Sequence, residues 1–449
     1  MSHVLLFSDM GTGKTIETIW HVQENNLKPC LIICPRSLKY SWYDEIEKWV
    51  GVKAIFANTA DEVVNKYFHL AEFGLDRRTY YILHHDALAF IEGDEIRELL
   101  QSISWRSIVV DECQRFRNLD TYRTRELLKF KLREEDGKIF PKLMFLSGTP
   151  IVNSNFDIFY ILKMIGLENS PGRFIERYTV GYQTRWGYKV SGSRNTRDLL
   201  AKIAPYYIRR TKDEVLKELP EKIETTTRLE MPEDQREIYN HYEEMLCLEL
   251  DNGETLSSPS VLSLFTRLRQ INLDPSIIGK KSSSSKTRAV QDLIDQNPNE
   301  KWVVASTSKL FIFQLSKLIK NSLTFTGDDS PLQRHNKLYQ FRSNPQNKVL
   351  LVTMQTGGLG LNLQVASNII CTDYWWNYAV LVQQIDRLHR IGQRRNVMVY
   401  ILHNINSIDD FMLEKCKEKE AMASEVIVRQ EIIKSIYEKR RGYEYGQQN

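Results

Sequence analysis

The sequence has no long apolar run and few cysteines, and each shortage excludes a class of protein. Among its 449 residues, no stretch is apolar for long enough to span a bilayer, and the N-terminus lacks the basic and then apolar pattern of a secretion signal. The six cysteines form no CxxC pair, and no histidine near them completes a zinc spacing. We therefore expect a soluble, intracellular protein with reduced thiols, without zinc and without a membrane partner.

The net charge of only +4 excludes a uniformly basic surface. A surface that binds nucleic acid would have to be built from local basic clusters. Five short clusters are candidates: Arg36 with Lys39, Arg115 with Arg117, Arg209-Arg210-Lys212, Arg394-Arg395 and Lys439-Arg440-Arg441. Each of them alone is typical of a solvated protein face, so the clusters by themselves predict no function.

Short apolar runs alternate with helical patterns in the first part of the chain. The runs are VLLFS from Val4, LIICP from Leu31, YYILH from Tyr80, SIVVD from Ser107 and LMFLS from Leu143. Continuous apolar runs suit parallel strands that are buried on both faces. Because segments such as KTIETIWHVQENN and SWYDEIEKWV lie between them, the alternation predicts a doubly wound parallel sheet.

The character of the chain changes at residue 151 and again near residue 287. Residues 151–287 are richer in charge, tyrosine and helical periodicity, and they end in KKSSSSK, whose composition predicts a flexible hinge. The α/β pattern then returns in KWVVAST, NSLTFTG, KVLLVTM, SNIICTD and NVMVYIL. We expect an α/β protein with two parallel-sheet lobes, 1–150 and 288–421, joined by helical protrusions and a linker over 151–287 and followed by a helical, basic tail over 422–449.

The stretch FSDMGTGKTIE, which begins at Phe7, has most features of a phosphate-binding loop. Gly11 and Gly13 allow a tight turn whose backbone N–H groups point at phosphate oxygens. Lys14 would reach the β- and γ-phosphates, and Thr15 would bind Mg²⁺. Ser8 replaces the usual first glycine, so a plain glycine turn is the alternative interpretation.

Two further strands of the first lobe end in polar side chains. SIVVDECQ places Asp111 and Glu112 after an apolar strand, where phosphate-loop ATPases hold Mg²⁺ and orient or deprotonate the attacking water. The alternative for this pair is an acidic helix cap. LSGTP places Ser147 and Thr149 at another strand end, where they could relay the state of the γ-phosphate to neighbouring surfaces. The alternative for this motif alone is a generic exit from a strand into a loop.

The C-terminal lobe contains QTGGLGLNL from Gln355 and QQIDRLHRIGQRR from Gln383. The glycines allow close approach of the backbone to a ligand. Arg387 and Arg390 are three residues apart on a predicted helix and project from one face, which suits an arginine-finger arrangement. For this segment alone, a surface helix with salt bridges is the simpler interpretation.

In order, these motifs resemble those of the superfamily-two helicase-like ATPases, and specifically the Swi/Snf-type branch of double-stranded DNA translocases. The resemblance rests on DMGTGKT, LIICPRSLKYSWYDEIEKW, DECQ, LSGTPIVNS, TGGLGLNL and QQIDRLHRIGQ, with RRTKDEVLKELPEK, LRQINLDP, YWWN and HRIGQ as marks of the branch. It covers the chain from Val4 to about Ala421. It implies two RecA-like lobes that close over ATP and Mg²⁺, in a monomer that grips duplex DNA largely without sequence preference.

The resemblance also implies roles for individual residues. ATP and Mg²⁺ would be bound by Gly11, Thr12, Gly13, Lys14 and Thr15, with Asp111 holding the metal and Glu112 activating water. The second lobe would add Gln383, Arg387 and Arg390 as catalytic groups, and Gly358 and Gly360 beside the nucleotide. DNA would be contacted by Pro35, Arg36, Ser37, Trp42, Ser306, Thr326 and Gly327.

Three departures from the family pattern qualify this expectation. The upstream glutamine motif that reads adenine is not found, Gln114 in DECQ replaces a histidine, and no accessory domain is recognisable. We expect a DNA-dependent ATPase that moves along duplex DNA and remodels or displaces bound proteins, in a bacterial cytoplasm or a virus-infected host. The alternatives are a strand-separating helicase, for which the sequence shows no obvious wedge hairpin, and a catalytically weak, nucleotide-gated DNA-binding module.

Overall fold

The protein consists of two compact units, Met1–Glu218 and Leu219–Asn449, each built on one parallel β-sheet. The computed structural model describes residues 3–9, 11–75, 79–91, 93–148, 150–151, 154–184, 187–215, 219–354, 363–374, 378–390, 392–412 and 425–446. The predicted fold class, α/β with two parallel-sheet lobes, is confirmed.

The sheet of the first unit has seven strands, in the order β11-β1-β8-β5-β2-β4-β3, and every neighbouring pair is parallel. Its strands are β1 (Val4–Leu6), β2 (Cys30–Cys34), β3 (Ile55–Phe56), β4 (Tyr80–His84), β5 (Ser107–Asp111), β8 (Lys142–Leu146) and β11 (Tyr207–Ile208). Two antiparallel hairpins complete the strands of this unit: β6 (Arg133–Glu135) with β7 (Lys138–Phe140), and β9 (Thr179–Thr184) with β10 (Gly187–Ser193).

Helices cover both faces of this sheet. They are α1 (Lys14–Glu24), α2 (Lys39–Val50), α3 (Ala60–Glu72), α4 (Asp94–Ser102), α5 (Tyr122–Leu127), α6 (Phe159–Met164), α7 (Pro171–Tyr178), α8 (Thr196–Ile203) and α9 (Lys212–Val215). Strand β5 shows why its apolar run is continuous. Ile108 and Val110 pack into one core cluster, whereas Val109 packs into the cluster on the opposite face. A strand covered on both sides needs an apolar residue at every position.

The sheet of the second unit has six strands, in the order β12-β17-β16-β13-β15-β14, again all parallel. Its strands are β12 (Lys222–Leu229), β13 (Trp302–Ser306), β14 (Ser322–Phe325), β15 (Val349–Thr353), β16 (Asn368–Cys371) and β17 (Val397–Asn404). Its helices are α10 (Glu233–Asp251), α11 (Pro259–Leu273), α12 (Ser285–Gln296), α13 (Lys309–Leu318), α14 (Pro331–Ser343), α15 (Tyr378–Ile385) and α16 (Glu425–Gly446). No helix within the described ranges is long and apolar enough to span a membrane.

The boundary between the two compact units differs from the boundaries of the four segments predicted from composition. Residues 151–287 contain helices, as expected, but they also contribute β11 to the first sheet and β12 to the second. The structure therefore divides this region between Glu218 and Leu219. A strand at a sheet edge is difficult to predict from composition, because its conformation depends on pairing with a neighbouring strand that is distant in sequence.

The segment KKSSSSK differs from the predicted hinge. Ser284 caps α12, where its hydroxyl accepts a hydrogen bond from the N–H of Thr287. Lys286 is fully buried and forms an ion pair with Asp409 over 2.7 Å. The serines therefore begin a helix and enter a buried polar network, and the hinge prediction is wrong because serine composition does not distinguish a cap from a linker.

The β9–β10 hairpin is a second difference, since the sequence showed no obvious hairpin. Its residues alternate tyrosine and valine with glycine and polar side chains, a pattern too weak to identify strands. The strands pair in register from Gly187 opposite Thr184 to Ser193 opposite Thr179, with one bulge between Val190 and Gly192.

Candidate active site

The loop after β1 has the geometry that a phosphate-binding loop requires. Gly11 and Gly13 have φ of 80° and 96°, in the left-handed region that favours glycine, and α1 begins at the next residue, Lys14. The Lys14 ammonium donates to the carbonyl oxygens of Ser8 and Asp9 over 2.7 and 2.8 Å. The loop is thus folded around its own lysine, at the positively polarised start of a helix.

Ser8, which stands where a glycine is usual, has a structural partner. It is buried, and its hydroxyl accepts a hydrogen bond from the backbone N–H of Arg210 over 3.1 Å. The N–H of Asp9 in turn donates to the Arg210 carbonyl over 3.0 Å, and the Arg210 guanidinium pairs with Glu17 of α1. Part of the predicted basic cluster at Arg209-Arg210-Lys212 therefore braces the phosphate-binding loop.

Asp111 lies at the end of β5 in a buried site with two hydrogen-bond donors. The indole N–H of Trp42 donates to one carboxylate oxygen over 2.9 Å, and the backbone N–H of Glu112 donates to the other over 2.9 Å. Burial raises the pKa of Asp111 to about 6, the Glu112 carboxylate adds to this, and the Trp42 hydrogen bond and the Lys14 charge oppose it. A cation beside Asp111 would therefore relieve excess negative charge.

Glu112 has a backbone conformation that is uncommon for a residue with a side chain. Its φ of 48° lies in the left-handed region, which costs of order 1–3 kcal/mol, and strained residues of this kind cluster at functional sites. Its carboxylate accepts a hydrogen bond from the Gln114 amide over 2.6 Å. The Ser147 hydroxyl donates to the amide oxygen of Gln114 over 2.8 Å, which connects the ends of β5 and β8. Thr149 lies outside the described residues.

Gln114, which stands in place of the family's histidine, thus forms its described side-chain hydrogen bonds within the first unit. Its side-chain amide bridges Ser147 and Glu112 by hydrogen bonds. The amide can accept from Ser147 and donate to Glu112 at the same time.

A buried histidine that the motifs did not indicate supports the same strand end. His85 Nε2 donates to the backbone carbonyl oxygen of Asp111 over 2.8 Å. Burial lowers the pKa of His85 to about 3, and the charge of Arg115 adds to this, so the ring is neutral at physiological pH. The Tyr160 hydroxyl donates to the carbonyl oxygen of Cys113, two residues after Asp111. Neither residue stands in a recognisable motif, because both act through nonlocal backbone contacts.

The donor set fits Mg²⁺ bound together with a nucleotide. Asp111 and Thr15, the second residue of α1, offer the oxygen ligands that Mg²⁺ prefers. Within the described ranges, no cluster of three or more His, Cys, Asp or Glu residues could hold a metal ion alone. Mg²⁺ at this place would therefore depend on phosphate oxygens for much of its coordination.

The predicted DNA-contacting residues of the first unit separate into exposed and buried groups. Arg36 is exposed and begins a 3₁₀ turn after β2, Ser37 is half-buried, and Pro35 is buried. Trp42 is 1% exposed, with its N–H directed at Asp111. The assignment of Trp42 to DNA binding is corrected here, because its only described polar atom is used inside the unit. Lys39 is also buried, and its ammonium donates to the Ala57 carbonyl over 2.6 Å.

In the second unit, Ser306 is buried as well. Its hydroxyl donates to Asp373 over 3.0 Å and accepts from the N–H of Ser308 over 3.1 Å, so it shapes a loop and does not present a free hydroxyl at the surface. The assignment of Ser306 as a direct DNA contact is corrected accordingly. Thr326 is also buried, whereas Gly327 is exposed.

The arginine pair of the second unit follows a helix instead of lying on one. Helix α15 ends at Ile385, and residues 386–390 form turns. Arg387 is buried and Arg390 half-buried. The Gln393 amide holds this segment through the carbonyls of Ala366 and Leu388, over 3.0 and 3.2 Å. The expectation of one regular helical face is therefore corrected.

Three predicted residues of this unit lie beyond structural description. Gly358 and Gly360 lie outside the described residues, and so does the side chain of Gln383. The neighbouring Gln384 is buried, and its amide donates to the Met354 carbonyl over 2.8 Å.

Comparison with known families agrees with these motifs. The model of the SNF2-related domain matches residues 1–277, and that of the helicase conserved C-terminal domain matches residues 285–392. This chain belongs to the SNF2-related family. The resemblance found from the motifs is thereby confirmed, and by family the chain is a helicase-like ATPase.

Individual relatives are longer proteins. An uncharacterized ATP-dependent helicase of Mycoplasma pneumoniae is 27% identical over 439 residues, covering 94% of this chain and 40% of the relative. The human DNA annealing helicase and endonuclease ZRANB3 is 25% identical, covering 91% of this chain and 37% of that protein. The chain thus spans about two fifths of these SNF2-related relatives. The solved Sulfolobus solfataricus SWI2/SNF2 ATPase core in complex with dsDNA is 25% identical, covering 93% of this chain and 86% of that chain, with a TM-score of 0.40.

Proposed function

We propose that this SNF2-related chain is a DNA-dependent ATPase that moves along duplex DNA and remodels or displaces bound proteins. The observation that carries the proposal is the position of Lys14, Asp111 and Glu112 at or beyond the carboxyl ends of β1 and β5 in one parallel sheet, where the Lys14 charge lowers and the Glu112 charge raises the pKa of Asp111. An ATPase that retains its lysine and both carboxylates has the groups that hydrolysis needs.

Each group would have a defined task when MgATP binds. Lys14 would exchange its bonds to the Ser8 and Asp9 carbonyls for oxygens of the β- and γ-phosphates. Thr15 and Asp111 would hold Mg²⁺, which neutralises charge that develops on the phosphates. Glu112, held by Gln114, would orient or deprotonate the attacking water.

The second unit would supply Gln383, Arg387 and Arg390 during turnover, with Arg390 as the arginine finger. An arginine that gains a phosphate partner only in the closed state lets ATP shift the population toward closure, and hydrolysis removes that preference. Repeated closure and opening would then move the protein along a duplex.

The DNA contacts proposed for this motion are made with the phosphate backbone. Arg36 is exposed at the start of a 3₁₀ turn, and Gly327 exposes its backbone in the second unit. Backbone contacts are largely independent of sequence and weaken steeply as salt rises. We place this activity in the cytoplasm of a bacterium or of a virus-infected host, and in a monomer.

The test is release of phosphate from ATP, measured with and without duplex DNA, for the wild-type chain and for Lys14→Ala and Glu112→Gln. We expect duplex DNA to raise turnover well above the basal rate, and both substitutions to abolish it. Wild-type turnover no higher than that of Glu112→Gln would instead support the nucleotide-gated binding module. Displacement of a protein block from a duplex then tests translocation.

A strand-separating helicase remains the second candidate because the structure contains the β9–β10 hairpin. A forked duplex with a fluorophore and a quencher on opposite strands distinguishes the two candidates. Strand separation that requires ATP favours the helicase, whereas duplex-stimulated ATPase activity without separation favours the translocase.

A further inference from the structure

The β9–β10 hairpin of the first unit carries large apolar side chains in solvent. Val180 is 48% exposed, Tyr182 is 53% exposed and Tyr188 is 45% exposed. The hairpin therefore presents aromatic rings to solvent, where they are accessible to a partner.

The charge of this segment indicates what kind of partner the hairpin would bind. From Thr179 to Arg197 the sequence contains no aspartate or glutamate. The same stretch contains the cations Arg185, Lys189, Arg194 and Arg197 and the aromatic residues Tyr182, Trp186 and Tyr188. Cations interleaved with aromatic rings are complementary to nucleic acid, in which phosphates meet the cations and unpaired bases stack on the rings.

The two tyrosines point to opposite faces of the ribbon. Tyr182 pairs with Lys189, and Gln183 pairs with Tyr188. Because directly opposed residues share a face and successive residues alternate, Tyr182 and Tyr188 cannot share one. One nucleic-acid strand cannot therefore stack on both rings along a single face, but two separated strands can each use one.

The base of the hairpin is rigidly attached to the first unit. The buried Asn155 amide donates to the carbonyls of Tyr178 and Arg194 over 3.1 and 3.0 Å, which joins the two ends of the hairpin. The N–H of Asn155 donates to the hydroxyl of Ser193 over 2.9 Å. Asn155 lies eight positions after Ser147, which contacts Gln114 at the ATPase site. The hairpin is therefore held by the segment that follows β8 and Ser147.

We propose that the β9–β10 hairpin binds DNA where a duplex opens into two single strands, with Tyr182 stacking on an unpaired base of one strand and Tyr188 on a base of the other. The proposal rests on the proposed function, since it names forked DNA as the preferred substrate of the same ATPase. Arg194 and Arg197, both exposed, contact phosphates at the base of the hairpin.

The experiment measures binding of the full chain, by fluorescence anisotropy, to a blunt duplex and to the same duplex with two unpaired oligothymidine arms. Tyr182→Ala and Tyr188→Ala are each expected to lower fork affinity by about 5- to 150-fold, the range for loss of one base stack. Their affinity for the blunt duplex stays within about twofold of wild type, and Tyr182→Phe and Tyr188→Phe retain fork binding because the ring persists. Tyr122→Ala, at a 72% exposed ring elsewhere in the unit, is the matched control.

A second readout assigns the faces. 2-Aminopurine is placed beside the junction on either strand, and its fluorescence is quenched when an aromatic ring stacks on it. We expect Tyr182→Ala to relieve quenching on one strand only and Tyr188→Ala to relieve it on the other. Relief on the same strand for both variants, equal loss of fork and blunt binding, or fork affinity unchanged in both variants overturns the proposal.

The ATPase assay separates failure of this proposal from failure of the proposed function. If wild-type protein prefers forks but shows no DNA-stimulated turnover, the hairpin site is supported and the proposed ATPase motor is rejected. If DNA stimulates turnover but both alanine variants keep wild-type fork affinity, the ATPase motor is supported and the hairpin site is rejected.

Discussion

The indole N–H of Trp42 donates to the carboxylate of Asp111 over 2.9 Å, across 69 positions of the chain. Through this bond, helix α2, which follows the predicted DNA-tracking turn at Arg36, is connected to the predicted metal ligand. Arg36 faces solvent and Trp42 faces Asp111. Helix α2 therefore connects the exposed turn at Arg36, the proposed DNA contact, to Asp111, the proposed metal ligand.

Trp42→Phe should impair catalysis and leave DNA binding intact. The substitution keeps an aromatic ring but removes the donor to Asp111, whose pKa then rises further. A hydrogen bond to a charged group contributes about 1.5–3 kcal/mol, so we expect roughly a tenfold or greater fall in turnover near neutral pH. The acidic limb of the pH–rate profile should also move to higher pH. Trp49→Phe, on the exposed face of the same helix, is the control, and loss of duplex affinity at unchanged turnover would restore a DNA-contacting role for Trp42.

Asp111→Asn should change the pH dependence of unfolding in a defined direction. The folded-state pKa of about 6 lies above the ordinary value of 3.8, so this group stabilises the fold at low pH and loses that contribution as pH rises through about 6. Between pH 4 and pH 8 the stability of the variant relative to wild type should increase by up to about 3 kcal/mol, at 1.36 kcal/mol per pKa unit. Urea unfolding followed by tryptophan fluorescence measures this, and a difference that is constant with pH would contradict the assignment.

Ser8→Ala should destabilise the phosphate-binding loop. It leaves the N–H of Arg210 without its buried acceptor, which costs about 1–3 kcal/mol. We expect an earlier unfolding transition of the first unit and a higher KM for ATP. Ser102→Ala, at the exposed end of α4, removes a hydroxyl that bonds only to the Leu99 carbonyl and should change neither quantity. Identical KM values for both variants would show that Ser8 does not position the loop.

Gln114→Ala should lower kcat without changing KM for ATP. The amide holds the Glu112 carboxylate, and its loss leaves that residue free to adopt unproductive positions. We expect kcat to fall by about tenfold, less than the roughly 10²- to 10⁴-fold contribution of a general acid or base, because Glu112 itself is retained. Ser147→Ala should have a smaller effect, because Gln114 then keeps its bond to Glu112. Initial rates over a range of ATP concentrations test this, and an effect confined to KM would assign Gln114 to nucleotide binding.

Lys286→Met should destabilise the second unit strongly. Asp409 would be left as a buried charge, which costs about 3–5 kcal/mol. Adding Asp409→Asn should recover part of the loss, because the buried charge is then removed as well. Lys434→Ala, at an exposed pair with Glu438 over 3.6 Å, should change the free energy of unfolding by no more than about 0.5 kcal/mol. Limited proteolysis and urea unfolding measure the difference, and similar values for both lysines would contradict the hinge correction.

Ten of the thirteen strands in the two sheets, and the residues of the phosphate-binding loop, could be predicted from sequence pattern, whereas β3, β11 and β12 could not. The ten apolar runs became β1, β2, β4, β5 and β8 in the first unit and β13 to β17 in the second. Strands buried on both faces need apolar residues at consecutive positions, so their signal is local. Gly11 and Gly13 were predictable for the same reason, since a positive φ is a property of one residue and its neighbours.

The roles of the polar side chains near the site became apparent only from their contacts in the fold. Trp42 and Ser306 stand in motifs that suggested DNA contact, yet both are buried and bonded to aspartates. Lys286 was read as part of a linker and proved to be the cation of a buried pair. The β9–β10 hairpin became visible only through its pairing. The hydrogen-bond partner of a polar side chain is often distant in sequence. The local pattern therefore shows which chemistry the side chain can perform, and the fold determines which partner it contacts.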